Sequence, residues 1–167
     1  MPSTRCESAF PKRRIRTHNN GIPAFAGTTP AGEAMNKQYV NPKELGAAPR
    51  FYSHAVSVAG PGKLVYVSGQ VSWGADGKVV GAGDMRAQCE QVFKNVSTVL
   101  AANGAGWGDV IKMNAYMVGM DEANVAAFRD IRNRHLKAGQ LPASTLVGVT
   151  RLVQPELLLE VEVVAAL

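Results

Sequence analysis

The chain has 167 residues, enough for one domain with a sizeable core, and its composition of 46% hydrophobic and 19% charged residues is typical of a globular protein. Its net charge of +5 is uneven, because residues 1–34 hold five basic and two acidic residues while the remainder is nearly balanced. That remainder has no basic stripe with interleaved aromatic residues, so we expect no nucleic-acid partner.

Residues 1–34 differ in character from the rest of the chain. They are basic as far as Arg16 and rich in turn-forming residues over 21–30, with no sustained period and no apolar core of a secretory signal. A transit peptide is one interpretation. We favour another, in which the native protein starts at Met35, residues 1–34 are a disordered extension without function, and residues 35–167 form the domain.

The first half of that domain predicts two strands and a helix. Residues 52–58 and 63–71 read as strands, and 75–78 contain the Asp-Gly signal of a tight hairpin turn. Asp84 is a good N-cap for a helix with apolar residues at helical spacing, which ends at Asn103-Gly104.

The second half continues with a strand over 110–118 and a second helix, which Asp121 caps and which breaks before 139–142. Strands follow over 145–149 and 157–165. Each helix has one apolar stripe, so we predict an α+β fold in which both helices pack on one face of a single mixed sheet. The last strand is partly apolar on both sides, which favours assembly through the open face of the sheet.

Several polar residues are candidates for chemistry. Glu160 and Glu162 point the same way from one strand among apolar residues, a setting suited to proton transfer, although an interface ion pair would read the same. Gly69 at a strand end permits close approach of a ligand, or marks a bulge. Tyr52 and His54 share a strand face, where packing is the usual role of such residues.

Other residue types are less informative. Ser144 lacks the context of a nucleophile, and the three histidines are too dispersed for a metal site. Cys6 and Cys89 have no disulfide or metal-ligand spacing, so we expect no disulfide framework, no zinc site and a cytoplasmic location. No apolar run approaches the roughly 20 residues that cross a bilayer, so we expect no membrane partner.

Short stretches in a specific order resemble the RidA/YjgF family of small imine and enamine deaminases. These are YSHAV at 52–56, LVYVSGQ at 64–70, QVFKN at 91–95, GDVIK at 108–112, PAST at 142–145 and LEVE at 159–162. The resemblance implies a chorismate-mutase-like α+β fold and a homotrimer with clefts between subunits. It also implies cofactor-free hydrolysis of a small reactive imine or enamine, in which Tyr52 and Gly69 line the cleft and Glu162 holds the attacking water.

One departure limits what the resemblance implies. The family places an arginine for the substrate carboxylate where this chain has Ser144, and His54 stands where many members have glutamine. A hydroxyl cannot replace a bidentate guanidinium, so we expect a substrate that is not anchored by a carboxylate. Arg50 or Arg151 would substitute only if the fold brought one of them to the cleft.

Three functions compete on this basis. The first is hydrolysis of a C–N bond in a small imine, enamine or related compound, with Glu162 as the base that orients water and Tyr52 or His54 assisting. The second is a trimer that binds a small metabolite or a partner protein without turnover. The third is ribonuclease activity, which the balanced charge of the domain makes the least favoured.

Overall fold

The computed structural model describes residues 35–45, 50–60 and 62–167. The expected extension over residues 1–34 lies outside them. In chain order the strands and helices are β1 (Asn36–Val40), β2 (Ala55–Ala59), β3 (Leu64–Gln70), α1 (Met85–Ala102), β4 (Val110–Val118), α2 (Glu122–Asn133), β5 (Ala143–Val149) and β6 (Leu159–Ala166).

Four strands form one sheet in the order β3-β6-β4-β5. The β3–β6 and β6–β4 pairs are antiparallel, whereas β4 and β5 are parallel and connected through α2. Strands β1 and β2 form a separate antiparallel pair. With two helices on a mixed sheet, the structure confirms the predicted α+β class.

Side-chain caps define where both helices begin. Asp84 accepts a hydrogen bond from the Ala87 amide at 3.1 Å, and Asp121 accepts one from the Asn124 amide at 2.7 Å. Each bond satisfies a backbone donor that the first helical turn leaves unpaired. Helix α1 ends before Gly104, whose φ of +74° favours glycine, so the predicted start and stop signals are confirmed.

The two faces of the sheet differ in burial. On β6 the side chains of Leu159, Val161 and Val163 are buried in the core beneath α1, whereas Glu160 and Glu162 on the other face are half-buried. Alternation along the strand therefore assigns one set of residues to the core and the other to an open face.

One strand was not predicted, and four element boundaries differ from the sequence prediction. Strand β1 was not predicted, and β2 begins at Ala55 instead of 52, because Tyr52 and Ser53 run beside β5 before the chain enters the β1–β2 pair. Helix α2 ends at Asn133, so His135 and Leu136 pack against the core from the loop that follows. Strand β5 starts at Ala143 and β6 at Leu159.

Trp107 closes one end of the core. Its ring stacks on Phe93 with the ring centroids 5.0 Å apart, and its indole nitrogen donates to the Ser97 hydroxyl at 2.8 Å. Across the described part of the chain, we find no helix that is both long and apolar enough to cross a bilayer.

Candidate functional site

Glu162 lies in a pocket on the open face of the sheet, which both polar and apolar residues line. The pocket has a volume of about 240 Å³, and its polar lining comes from Ser68 on β3, Lys112 and Asn114 on β4, and Glu162 on β6. Antiparallel register places Asn114 directly opposite Glu162, which explains why two short side chains meet there.

Two neighbours hold the Glu162 carboxylate by the same oxygen. The Asn114 amide donates to Oε1 at 2.7 Å and the Tyr116 hydroxyl donates to it at 3.1 Å. No described residue donates to the other oxygen, Oε2, which can therefore accept a proton or a hydrogen bond from water. Charge-assisted bonds of this kind fix the orientation of a carboxylate.

The Tyr116 hydroxyl stays protonated at neutral pH and can therefore donate a hydrogen bond. Its hydrogen bond to Glu162, with burial and the nearby carboxylate charges, raises the pKa of Tyr116 above the ordinary value, because ionising the phenol would place two negative charges together. Lys112 contributes the positive charge in this pocket, and its Nζ donates to the Thr145 hydroxyl at 3.0 Å.

Gly69 occupies a bulge in β3 next to Glu160. The register between β3 and β6 shifts between Val67 and Gln70, which places one extra residue on β3. A Cβ at Gly69 would overlap the Glu160 carboxylate. The close approach expected at this glycine is therefore made by a side chain of the neighbouring strand.

Tyr52 and Ser144 line a second cavity, on the helix-covered side of the sheet. Its volume is about 250 Å³, and it lies between β5, α2 and the segment before β2. The Ser53 amide donates to the Pro142 carbonyl at 3.2 Å, which holds Tyr52 beside the start of β5. His54 contacts the edge of the Tyr52 ring, with the ring centroids 5.4 Å apart.

Two arginines that the sequence did not single out also line this second cavity. Arg132 on α2 is 3% exposed and donates to the Phe51 carbonyl, while the Arg129 guanidinium lies 4.3 Å from the centroid of the Phe51 ring. Burial, with the Arg129 charge as a smaller cause, lowers the pKa of Arg132 to about 10. The sequence signal that could have found these two arginines is their spacing of three residues, which places both on the helix face of Val125 and Phe128.

Of the two arginines considered from the sequence, only Arg50 lies near a predicted site residue. It lines a neighbouring cavity together with Tyr52. Arg151 is exposed in the segment that follows β5 and lines neither the cavity of Ser144 nor that of Glu162.

The predicted site residues thus form two groups within one chain. Ser144 pairs with Met113, whose side chain is buried in the core, whereas Glu162 pairs with Asn114 on the open face. Tyr52, His54 and Ser144 therefore lie on one side of the sheet, and Gly69, Glu160 and Glu162 belong to the other.

Metal-ligating side chains do not cluster within the described ranges, where no group of three or more His, Cys, Asp and Glu residues is placed to hold an ion. Cys89 is buried on α1, and burial raises the pKa of its thiol to about 12. A thiol with so high a pKa is a packing residue at neutral pH.

Comparisons with known proteins agree with this arrangement of strands and helices. The family model described as Endoribonuclease L-PSP matches residues 42–167. A 2-iminobutanoate/2-iminopropanoate deaminase from Dermatophagoides farinae is 32% identical over 101 residues, which are 60% of this chain and 74% of the deaminase.

Solved structures give the same result. A Rid-family protein of unknown function from Yersinia pestis superposes with a TM-score of 0.72 and 36% identity, covering 79% of this chain and 99% of that one. RidA from an Antarctic Psychrobacter superposes with a TM-score of 0.56 and 27% identity, covering 78% and 99%. The chain therefore belongs to the RidA/YjgF family, whose family model carries the description Endoribonuclease L-PSP.

Proposed function

We propose that this protein hydrolyses the C–N bond of a small imine, or of the enamine that tautomerises to it, with Glu162 as the base that orients the attacking water. The observation that carries the proposal is the asymmetry of the Glu162 carboxylate. Oε1 is held by Asn114 and Tyr116, and Oε2 has no donor among the described residues. A fixed carboxylate with one available oxygen can hold water and accept its proton.

The reaction balances with water as the co-substrate. The water oxygen attacks the imine carbon, its proton passes to Glu162, and the C=N π electrons move to nitrogen. Glu162 returns that proton to nitrogen, which gives a carbinolamine. Transfer of the hydroxyl proton to nitrogen through Glu162 then breaks the C–N bond and releases a carbonyl compound and ammonia.

The complete site is proposed to form between copies of the chain in a homotrimer. Tyr52, His54 and Ser144 lie on the opposite side of the sheet from Glu162, so one chain alone does not bring the two groups together. The open face also exposes apolar side chains, with Tyr66 76% and Leu64 47% accessible. An exposed apolar face next to a polar pocket is typical of an interface that contains a site.

Two further assignments accompany this proposal. The small-molecule cleft is expected to work without metal or cofactor, because the proposed chemistry requires only a base, water and a substrate that already holds the reactive C=N bond. The cytoplasm remains the predicted location, since Cys89 is a free thiol without a partner in the described ranges.

Ammonia release from freshly generated imines, among them 2-iminopropanoate, tests the activity. Purified protein should exceed the uncatalysed rate, and Glu162→Gln should lower kcat by roughly 100-fold or more, because an amide cannot accept the proton. The matched control is Glu156→Gln, which removes the same charge from an exposed position before β6 and should leave the rate unchanged. Full activity in Glu162→Gln would refute the assigned role.

A ribonuclease is the second candidate, and the description of the family model favours it. Lys112 is the only cationic residue that lines the Glu162 pocket among the described residues, which is little positive charge for tracking a phosphate backbone. Salt-dependent retention of single-stranded RNA would support this candidate, and its absence would remove it.

A non-catalytic metabolite-binding trimer is the remaining alternative. A ligand that raises the melting temperature and is recovered unchanged, in the absence of ammonia release, would favour it.

A further inference from the structure

Two arginines bring positive charge to the cavity of Tyr52 and Ser144, whose own lining contains no acid among the described residues. Arg129 and Arg132 both line it, and within the described ranges neither makes an ion pair with a carboxylate. Arg134, two residues after Arg132, differs because it pairs with Glu90 at 2.9 Å and with Asp130 at 3.4 Å. In the part of the chain that the structure describes, neither cavity arginine is ion-paired, although Asp121 and Glu122 line an adjoining cavity that also contains Arg129.

Arg132 also has unused hydrogen-bonding capacity. Arg132 is only 3% exposed. Its Nε has no acceptor among the described residues, although a terminal nitrogen of the same guanidinium donates to the Phe51 carbonyl. A buried cationic donor without a partner costs free energy, and a bound acceptor would remove that cost.

The surroundings specify the size and chemistry of that acceptor. The cavity holds about 250 Å³, which suits a molecule of a few carbon atoms, and the Tyr52 and Ser144 hydroxyls supply neutral hydrogen-bonding groups beside the two guanidinium groups. A guanidinium fork matches the oxygens of a carboxylate and of a phosphate, and the planar carboxylate is the smaller of the two anions.

We propose that Arg129 and Arg132 on α2 form a binding site for a small carboxylate-bearing molecule, such as a 2-oxo acid or the corresponding imino acid, in the cavity that Ser144 lines. The claim that the substrate carries this carboxylate rests on the proposed function. The claim that the cavity binds a carboxylate does not. It reverses the expectation that the presence of Ser144 excludes a carboxylate-anchored substrate, because the cations come from a helix and not from β5.

The test is calorimetric titration of the full-length protein with pyruvate, and with methyl pyruvate as the matched ligand that lacks the charge. Pyruvate should bind, the ester should bind at least roughly tenfold more weakly, and Arg129→Gln should weaken pyruvate binding by roughly tenfold or more. Arg134→Gln is the matched control, since it removes the same charge from the end of α2 where the guanidinium is already paired, and it should change the affinity by less than about twofold.

Arg132→Gln should weaken binding as well, provided that its melting temperature shows a folded protein. If it does not fold, Arg129→Gln decides the question, because Arg129 is exposed and its loss leaves the core intact. Equal affinity for acid and ester, unchanged affinity in Arg129→Gln, or no pyruvate binding would each overturn the inference.

Glu162→Gln separates this inference from the proposed function. It should retain the affinity for pyruvate while it loses turnover. Arginine-dependent pyruvate binding without ammonia release from any imine would leave the carboxylate site standing and refute the deaminase. Ammonia release that is insensitive to Arg129→Gln, from a protein that does not bind pyruvate, would refute the carboxylate site and leave the deaminase standing.

Discussion

The two faces of the four-stranded sheet differ in burial and in polarity, although the same strands build both. On β6, Leu159, Val161 and Val163 face α1 and are buried, whereas Glu160 and Glu162 face outward beside Asn114 and Tyr116. Alternation along one strand thus separates the residues that stabilise the fold from the residues proposed to act on a substrate.

The position of Glu162 on the open face explains why a carboxylate there costs little stability. A half-buried carboxylate on the open face keeps contact with water and two donors, while the same group one residue earlier or later would enter a core with no polar partner.

The largest expected effect concerns stability, and a matched pair of valines on β6 measures it. Val161 is fully buried beneath the helices, whereas Val164 is half-buried on the open face. Val161→Ala should lower the free energy of unfolding by about 1.5–3 kcal/mol, since it leaves a cavity in the core. Val164→Ala should cost less than about 1 kcal/mol, because fewer contacts are lost.

Urea unfolding at one fixed protein concentration measures both values, because assembly makes apparent stability depend on concentration. Equal losses for the two variants would show that the open face is packed as tightly as the core. That result would contradict the predicted difference in packing between the two faces.

Gly69→Ala should produce the next largest effect, now on activity. A Cβ at this position overlaps the Glu160 carboxylate, so Glu160 must move within the pocket face, although its flexible side chain allows the protein to fold. We expect ammonia release to fall by more than about tenfold, since a displacement of about 1 Å in a catalytic face can cost 100-fold.

Gly108→Ala is the control for this substitution. A Cβ there meets no atom within 4 Å, so activity and melting temperature should stay unchanged. Full activity in Gly69→Ala, with the melting temperature of the wild-type protein, would show that the position of Glu160 does not matter for turnover.

Much of the fold was predictable because its signals are local. Asp84 and Asp121 cap helices whose apolar residues recur at helical spacing, and the strand predicted over 110–118 coincides with β4. Strand β1 was missed because five residues without strict alternation carry no local signal, and their pairing with β2 is a tertiary contact.

The candidate site was predictable in part, for the same reason. Gly69 and Glu162 stand in recognisable stretches of the sequence. That they lie on one side of the sheet and Ser144 on the other follows from the register of β4 with both of its neighbours. Arg129 and Arg132 read as charged residues on a helix. Only the approach of Phe51 to α2 places them in a cavity.

Tyr116→Phe should give a smaller change in activity. The substitution removes one of two hydrogen bonds to Glu162 Oε1 and leaves the bond from Asn114, so kcat should fall roughly threefold to tenfold with little change in KM. A larger rise in KM than fall in kcat would indicate that Tyr116 contacts the substrate instead of positioning Glu162.

Tyr66→Phe is the matched control for that measurement. Tyr66 lines the same pocket from β3, and its hydroxyl makes no hydrogen bond to another described residue, so the loss of this hydroxyl should leave kcat unchanged. If both variants lost activity equally, the effect would come from general polarity of the pocket and not from the bond to Glu162.

The smallest expected effect returns to the covered face and concerns pH. His135 stacks on Phe93 at 5.1 Å, and burial lowers the pKa of His135 below its ordinary value of 6.5. The unfolded chain therefore takes up a proton first as the pH falls, so the stability that neutral His135 contributes is complete above about pH 6.5 and declines below it. His135→Gln removes this titration. The difference in unfolding free energy between the wild-type protein and the variant should be largest at pH 7.5 and shrink toward pH 5, whereas a difference that stays constant or grows would show that His135 is protonated as readily in the core as in water.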